Sequence, residues 1–162
     1  MSETFGRADK PSTYSPPSGY LVWNKERSGT QKGGGGLSLL YRENLIAHEW
    51  SPTVPQSYEY IEKERQWLLL KHGDSKCAFL HCYIACQGQD DSFVSWNDDL
   101  FTLMKDEAVT LKAQGFFIFA MGDFNTKLGQ IPGLEGNVAG TNRNQPMFIN
   151  FISEVNLGMT SH

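Results

Sequence analysis

The rhythm of apolar residues changes several times along this chain, and each change marks an element. From Gly19 to Trp23, from Leu37 to Tyr41 and from Leu45 to Trp50, short apolar and aromatic runs sit between Pro-, Gly- and Ser-rich segments, which predicts strands. A further strand is predicted over Glu64 to Lys71, around Trp67-Leu68-Leu69-Leu70. His72-Gly73-Asp74 turns the chain into another strand, Cys77 to Ile84. Successive strands before any helix predict antiparallel pairing in this half. Residues 1–19 read as a loop, as do 24–36 with the run Gly33–Gly36, and Ser51 to Gln56 with its two prolines.

At Ser92 the period changes. Phe93, Trp96, Leu100, Leu103, Met104, Val109 and Leu111 fall on one helical face through Gln114, and Gly115 stops the helix. The uninterrupted run Phe116 to Met121 then predicts a fully buried strand. Residues 126–144 form a glycine-rich loop. A second helix is expected from about Gln145 to Asn156, with Pro146 in its first turn, Phe148, Ile152 and Val155 as its stripe, and Gly158 ending it. Strand 77–84, helix 93–114 and strand 116–121 make a βαβ unit. Parallel pairing would bring the carboxyl ends of its strands to one edge, where ligands bind in such sheets.

Length and composition narrow the class. The chain has 162 residues, and 40% are hydrophobic, enough for one cored domain over 1–162. No stretch approaches the roughly 18 apolar residues of a membrane span. The polar start lacks the apolar core of a signal peptide, so an intracellular protein with no membrane partner is expected. The net charge of −4 offers no bulk positive field for nucleic acid. It leaves metal-assisted phosphate chemistry open, because a bound cation becomes the largest local charge. Cys77, Cys82 and Cys86, an odd set, predict free thiols; with His72 and His81 they lack zinc spacing. No Gly-Lys-Ser/Thr follows the glycine run, which excludes a P-loop, and His48, His72 and His81 show no triad pattern.

The candidate chemistry lies in Gly122-Asp123-Phe124-Asn125, at the end of the apolar strand. Side chains two apart in an extended strand share a side, so Asp123 and Asn125 leave the rim together, and Tyr83 would meet them at the carboxyl edge. Turn chemistry alone also places Asp and Asn at strand ends. A lone strand tyrosine is commonly half-buried, and a terminal carboxylate such as Glu3 is commonly solvated.

Gly122-Asp123-Phe124-Asn125 after a hydrophobic strand resembles the Gly-Asp-(Phe/Leu)-Asn motif of the endonuclease/exonuclease/phosphatase (DNase I-like) superfamily. Ser2-Glu3-Thr4 resembles its Glu-Thr segment, and Phe79-Leu80-His81-Cys82-Tyr83 its strand ending in a tyrosine. The Gly33–Gly36 lead into Leu37-Ser38-Leu39-Leu40 resembles a family strand, and residues 133–156, with Asn144 and Phe151, resemble the stretch that follows the motif in LINE-type retrotransposon endonucleases. The likeness runs through nearly the whole chain and is nearest to those retroelement members.

The resemblance implies an α/β (α+β) sandwich of two sheets with flanking helices that hydrolyses phosphodiester bonds with Mg²⁺. Glu3 would bind the metal, Asp123 would orient or deprotonate the attacking water, Asn125 would hold the phosphate or position Asp123, and Tyr83 would donate to a phosphate oxygen. DNA or another phosphodiester would be the substrate, and nuclear residence would follow only from a retroelement role. The family's opening strands, its later Ser-x-x-Asp-Tyr motif and its final Ser-Asp-His have no counterpart here; Thr160-Ser161-His162 arrives too early to supply the histidine. A partial domain, incomplete for catalysis, is therefore expected. The alternatives are a non-catalytic remnant or interaction module, and a phosphatase or phospholipase of the same superfamily.

Overall fold

The computed structural model describes residues 3–4, 15–25, 36–59, 61–85, 92–128, 140 and 142–157, with backbone alone at 3–4 and 92–94. Ser2, glycines 33–35, Cys86, most of the loop after residue 128, Gly158 and His162 lie outside the described residues. The described elements are β1 (Glu3–Thr4), β2 (Tyr20–Lys25), β3 (Gly36–Arg42), β4 (Ile46–Trp50), β5 (Arg65–His72), β6 (Ser75–Tyr83), α1 (Ser92–Ala113), β7 (Phe117–Asp123) and α2 (Asn144–Val155). They form a mixed α/β sandwich of two sheets. One is antiparallel, in the order β1-β3-β2; the other has the order β4-β5-β6-β7. β4, β5 and β6 are antiparallel neighbours, and β7 joins β6 in parallel, which makes β6-α1-β7 the βαβ unit.

Strand alternation decides what each sheet face meets. Trp67 and Leu69 of β5 share a face with Ala78, Leu80 and Cys82 of β6. Leu100, Met104 and Leu111 of α1, with Phe148, Phe151 and Val155 of α2, close over that face as one core. Fully burying each such side chain is worth about 1.5–3 kcal/mol. On the opposite face β3 lies over β6, and Leu37, Leu39 and Leu68 are buried.

Two polar side chains sit inside the helix–sheet core. Arg65 donates through Nε to Glu107 Oε2 at 2.8 Å, and its Nη2 bonds Glu107 Oε1. Trp67 Nε1 also donates to Glu107 Oε2 at 2.8 Å, and Arg65 Nη1 donates to the Glu62 carbonyl at 2.7 Å. The carboxylate thus neutralises a buried guanidinium and satisfies a buried indole.

α1 ends as Gly115 requires. Gly115 takes φ +85°, its N–H donates to Lys112 O at 2.9 Å, and Phe116 N–H donates to Leu111 O at 3.1 Å. This is a Schellman stop, closed by the buried pair Leu111 and Phe116.

Five expectations are corrected. Residues 1–19 were expected as loop, yet β1 pairs Glu3 with Leu37 and Thr4 with Gly36. A two-residue strand exists only through its partner's edge, which no local pattern reveals. Short 3-10 turns at Gln56–Tyr58 and Glu62–Glu64 occupy the β4–β5 connection, and Glu64 belongs to the second of them instead of to β5. On α1 the buried stripe includes Phe101 and Ala108, while Val109 is half exposed, because the face is set by both the sheet and α2. α2 turns out of the helix at Asn156, φ +53°, two residues before Gly158, since Asn tolerates the left-handed region. β7 is not fully buried: Ile118 and Ala120 pack on the core, but Phe117 is 68% exposed and Phe119 is 47% exposed. The helices cover one face of β7; β3 covers β6 and does not shield these rings.

Among the described residues no helix is long and apolar enough to cross a membrane.

Candidate functional site

The parallel register of β6 and β7 ends with Tyr83 opposite Asp123, after Cys82 opposite Gly122. Register partners on neighbouring strands stand about 4.8 Å apart, so the backbones of the tyrosine and the acid are paired at the carboxyl edge of the βαβ unit. Gly122 is what allows the strands to close there. Its φ is +139°, and a Cβ on it would lie 1.9 Å from the carbonyl oxygen of Cys82. Only glycine permits that approach.

Beyond Asp123 the chain folds back on itself. Asn125 adopts φ +43°, and its N–H donates to Asp123 Oδ1 at 2.9 Å, fixing the exposed carboxylate. Asn125 Nδ2 donates to the Ile84 carbonyl at 2.7 Å, and Ile84 N–H donates to Asp123 O at 2.8 Å. The loop leaving β6 and the loop leaving β7 are thereby sewn together. The expectation that Asp123 and Asn125 leave the rim side by side is corrected: extended geometry ends at Asp123, the Asn125 N–H closes an Asx turn on the carboxylate, and the Asn125 side-chain amide turns back to the Ile84 carbonyl.

A buried amide network supports this loop from below. Asn97 of α1, fully buried, brackets Ala85: it accepts from Ala85 N–H at 3.2 Å and donates to Ala85 O at 3.0 Å. Asn97 Nδ2 also donates to Asn144 Oδ1 at 2.9 Å. Asn144, fully buried at the start of α2, and Asn142 both donate to the Asn125 carbonyl, at 3.0 and 2.6 Å. Sequence reading missed Asn97 and Asn142. The signal for Asn97 was present, because it falls three and four residues before the apolar Leu100 and Phe101. A polar residue on that stripe must find a partner. Beside the loop an open hollow of about 470 Å³ is floored by Phe124 and Phe148, with Asp123, Asn125 and Lys127 on its wall.

The surroundings of the strand ends are electrostatically quiet. Burial, with the Asp123 carboxylate adding to it, pushes the Cys82 thiol upward, so it stays protonated. His81 lies one residue before it on the opposite face. Burial lowers its pKa to about 4, and its Nδ1 is 3.2 Å from Gln66 Nε2. Neither group is poised for acid–base work at neutral pH.

The donors can be weighed against the Mg²⁺ that the resemblance implies. Among the described residues no three His, Cys, Asp or Glu side chains gather. Mg²⁺ keeps most of its waters and takes one or two carboxylates with substrate phosphate, so an exposed carboxylate at this rim suits it only when other oxygens join. Glu3 is placed by its backbone in β1, beside Leu37 of the other sheet, and its side chain lies outside the description. No family model matches the chain, and no curated protein matches it.

Proposed function

We propose that this chain carries the tyrosine–aspartate–asparagine corner of a metal-dependent phosphodiester hydrolase of the endonuclease/exonuclease/phosphatase type, nuclease-like and retroelement-derived. One observation carries the reading. Tyr83 and Asp123 are register partners at the carboxyl ends of parallel strands, and the Asn125 N–H holds the acid's Oδ1. That leaves the second carboxylate oxygen as an acceptor for a water, while the Tyr83 hydroxyl can donate to a phosphate oxygen nearby. Asn125 acts mainly by positioning Asp123. Mg²⁺, when held through Glu3, supplies polarisation of the phosphoryl oxygen. DNA is the substrate the resemblance favours.

A second reading, a non-catalytic interaction module on the same fold, is favoured by the exposed rings of Phe117 and Phe119. Incubating the purified chain with Mg²⁺ and supercoiled plasmid separates the two. The hydrolase reading expects nicking that falls about 10²- to 10⁴-fold in Asp123→Ala. A cooperatively folded chain that leaves the plasmid intact at high concentration overturns hydrolysis by this chain and favours the module. Cleavage of inositol phosphates or sphingomyelin without nicking would move the site to the phosphatase or phospholipase branch.

A further inference from the structure

We propose that Asn144, held by Asn97, is a positioning residue for Asp123, acting through the backbone of Asn125. The inference rests on reading Asp123 as the reactive acid; the positioning itself follows from a continuous line of hydrogen bonds. Asn97 anchors the line to α1 and to both polar groups of Ala85. Its Nδ2 holds Asn144 Oδ1, which orients the Asn144 amide so that Nδ2 reaches Asn125 O at 3.0 Å and Ala85 O at 3.4 Å. Pinning that carbonyl, which Asn142 Nδ2 also reaches at 2.6 Å, fixes the peptide plane after Asn125 while its φ stands at +43°, in the left-handed region that Asn tolerates. With φ held there, the Asn125 N–H points back at Asp123 Oδ1.

Burial explains why the device uses amides. Asn97 and Asn144 are each fully buried. An amide carries both donors and an acceptor, so one side chain can satisfy a carbonyl and accept from a neighbour without bringing a charge into the core. An aspartate at either place would lose both N–H donors, and an aliphatic residue at 144 would leave the Asn125 carbonyl to Asn142 alone and the Ala85 carbonyl to Asn97 alone. The network also joins α1, α2 and both loops at the strand ends, so the reactive acid is referenced to the rigid helix pair and not to its own loop.

Hydrogen exchange of the Asn125 N–H, resolved by nitrogen-15 NMR in the full chain, reads the positioning directly. The comparison is Asn144→Ala against wild type in enough urea to match the variant's global stability, checked at the Leu80 N–H in the middle of β6. Asn125 exchange about tenfold faster in the variant than in the matched wild type is expected. Equal rates overturn the proposal, because they make Asn144 a stabiliser of the fold and nothing more. If Asn144→Ala does not melt cooperatively, Asn144→Asp replaces it under the same criterion; it keeps the volume and the acceptor for Asn97 and removes both donations. Collapse of both variants also overturns the proposal, since positioning requires that the fold outlast the amide. Turnover is not read, so this test can fail while plasmid nicking succeeds, or the reverse.

Discussion

Replacing Gly122 with alanine is the sharpest probe of how the site is built. The added Cβ would stand 1.9 Å from Cys82 O, 2.9 Å from its carbonyl carbon and 3.0 Å from its nitrogen. All three are backbone atoms of β6, which is itself held from the far side by the pairing of Cys82 with Arg65. Comfortable contact begins at about 3.5 Å, so the end of β7 must move away by roughly 1.5 Å. That displacement breaks the 2.8 Å bond from Ile84 N–H to Asp123 O and separates Tyr83 from Asp123. Backbone strain at φ +139° costs about 1–3 kcal/mol, overpacking about 1–3 kcal/mol, and the lost hydrogen bond about 1 kcal/mol. The total, about 3–7 kcal/mol, is a large share of the roughly 5–15 kcal/mol that holds a domain folded. At about 2–4 °C per kcal/mol for a chain of this size, the melting midpoint falls by about 6–28 °C. Gly115→Ala is the control. Its φ is +85° and nothing lies within 4 Å of the added Cβ, so backbone strain alone is at stake there. Urea unfolding followed by tryptophan fluorescence compares the two. A Gly122→Ala cost within about 1 kcal/mol of the Gly115→Ala cost would refute the close-approach reasoning.

Two further outcomes follow from the core. Glu107→Ala strands the buried Arg65 guanidinium and the Trp67 indole N–H, so a loss of about 3–5 kcal/mol is expected in urea unfolding. Replacing Arg65 and Glu107 together by apolar residues should cost much less than the single change, and equal losses would count against the ion-pair account. His81 is held neutral in the fold with a pKa lowered by burial from 6.5 to about 4, so the unfolded chain binds the extra proton between those values. Its contribution is whole above pH 6.5, declines as pH falls toward 4 and flattens below, with a span of at most about 3 kcal/mol. The difference between wild type and His81→Gln in unfolding midpoints across pH 4–7 measures it, and a difference that stays flat would show that His81 is protonated without penalty.

Local pattern made much of the fold legible. The runs around Leu37, Trp67 and Leu80 fixed their strands because a buried face leaves a period of two or an unbroken apolar run. The switch to a helical period after Ser92 made β6-α1-β7 readable as a βαβ unit, and with it the meeting of Tyr83 and Asp123. What escaped depends on partners distant in sequence. Arg65 and Glu107 are 42 residues apart, and each alone reads as a solvated charge. Asn97 and Asn144 are 47 apart, so local pattern hides their bond, although Asn97 lies on the apolar stripe and Asn144 enters through the resemblance. β1 is a strand only because β3 offers an edge to it. The run from Phe116 to Met121 misled for a related reason. Composition says that a segment is apolar, whereas burial also needs a layer to lie against it, and among the described residues none covers Phe117.

The same strand has a consequence for how the molecule behaves in company. Among the described residues β7 has one neighbour, β6, so its other rim offers peptide groups for pairing. From Phe117 to Met121 it carries no lysine, proline or inward charge of the kind that keeps rims from sticking, and its Phe119 ring lies stacked on Phe79 at 4.9 Å, flat and accessible. This ribbon is therefore a place where copies can pair: a lysine in place of Phe117 would act as a gatekeeper against clumping while leaving the helix-facing side of the strand untouched.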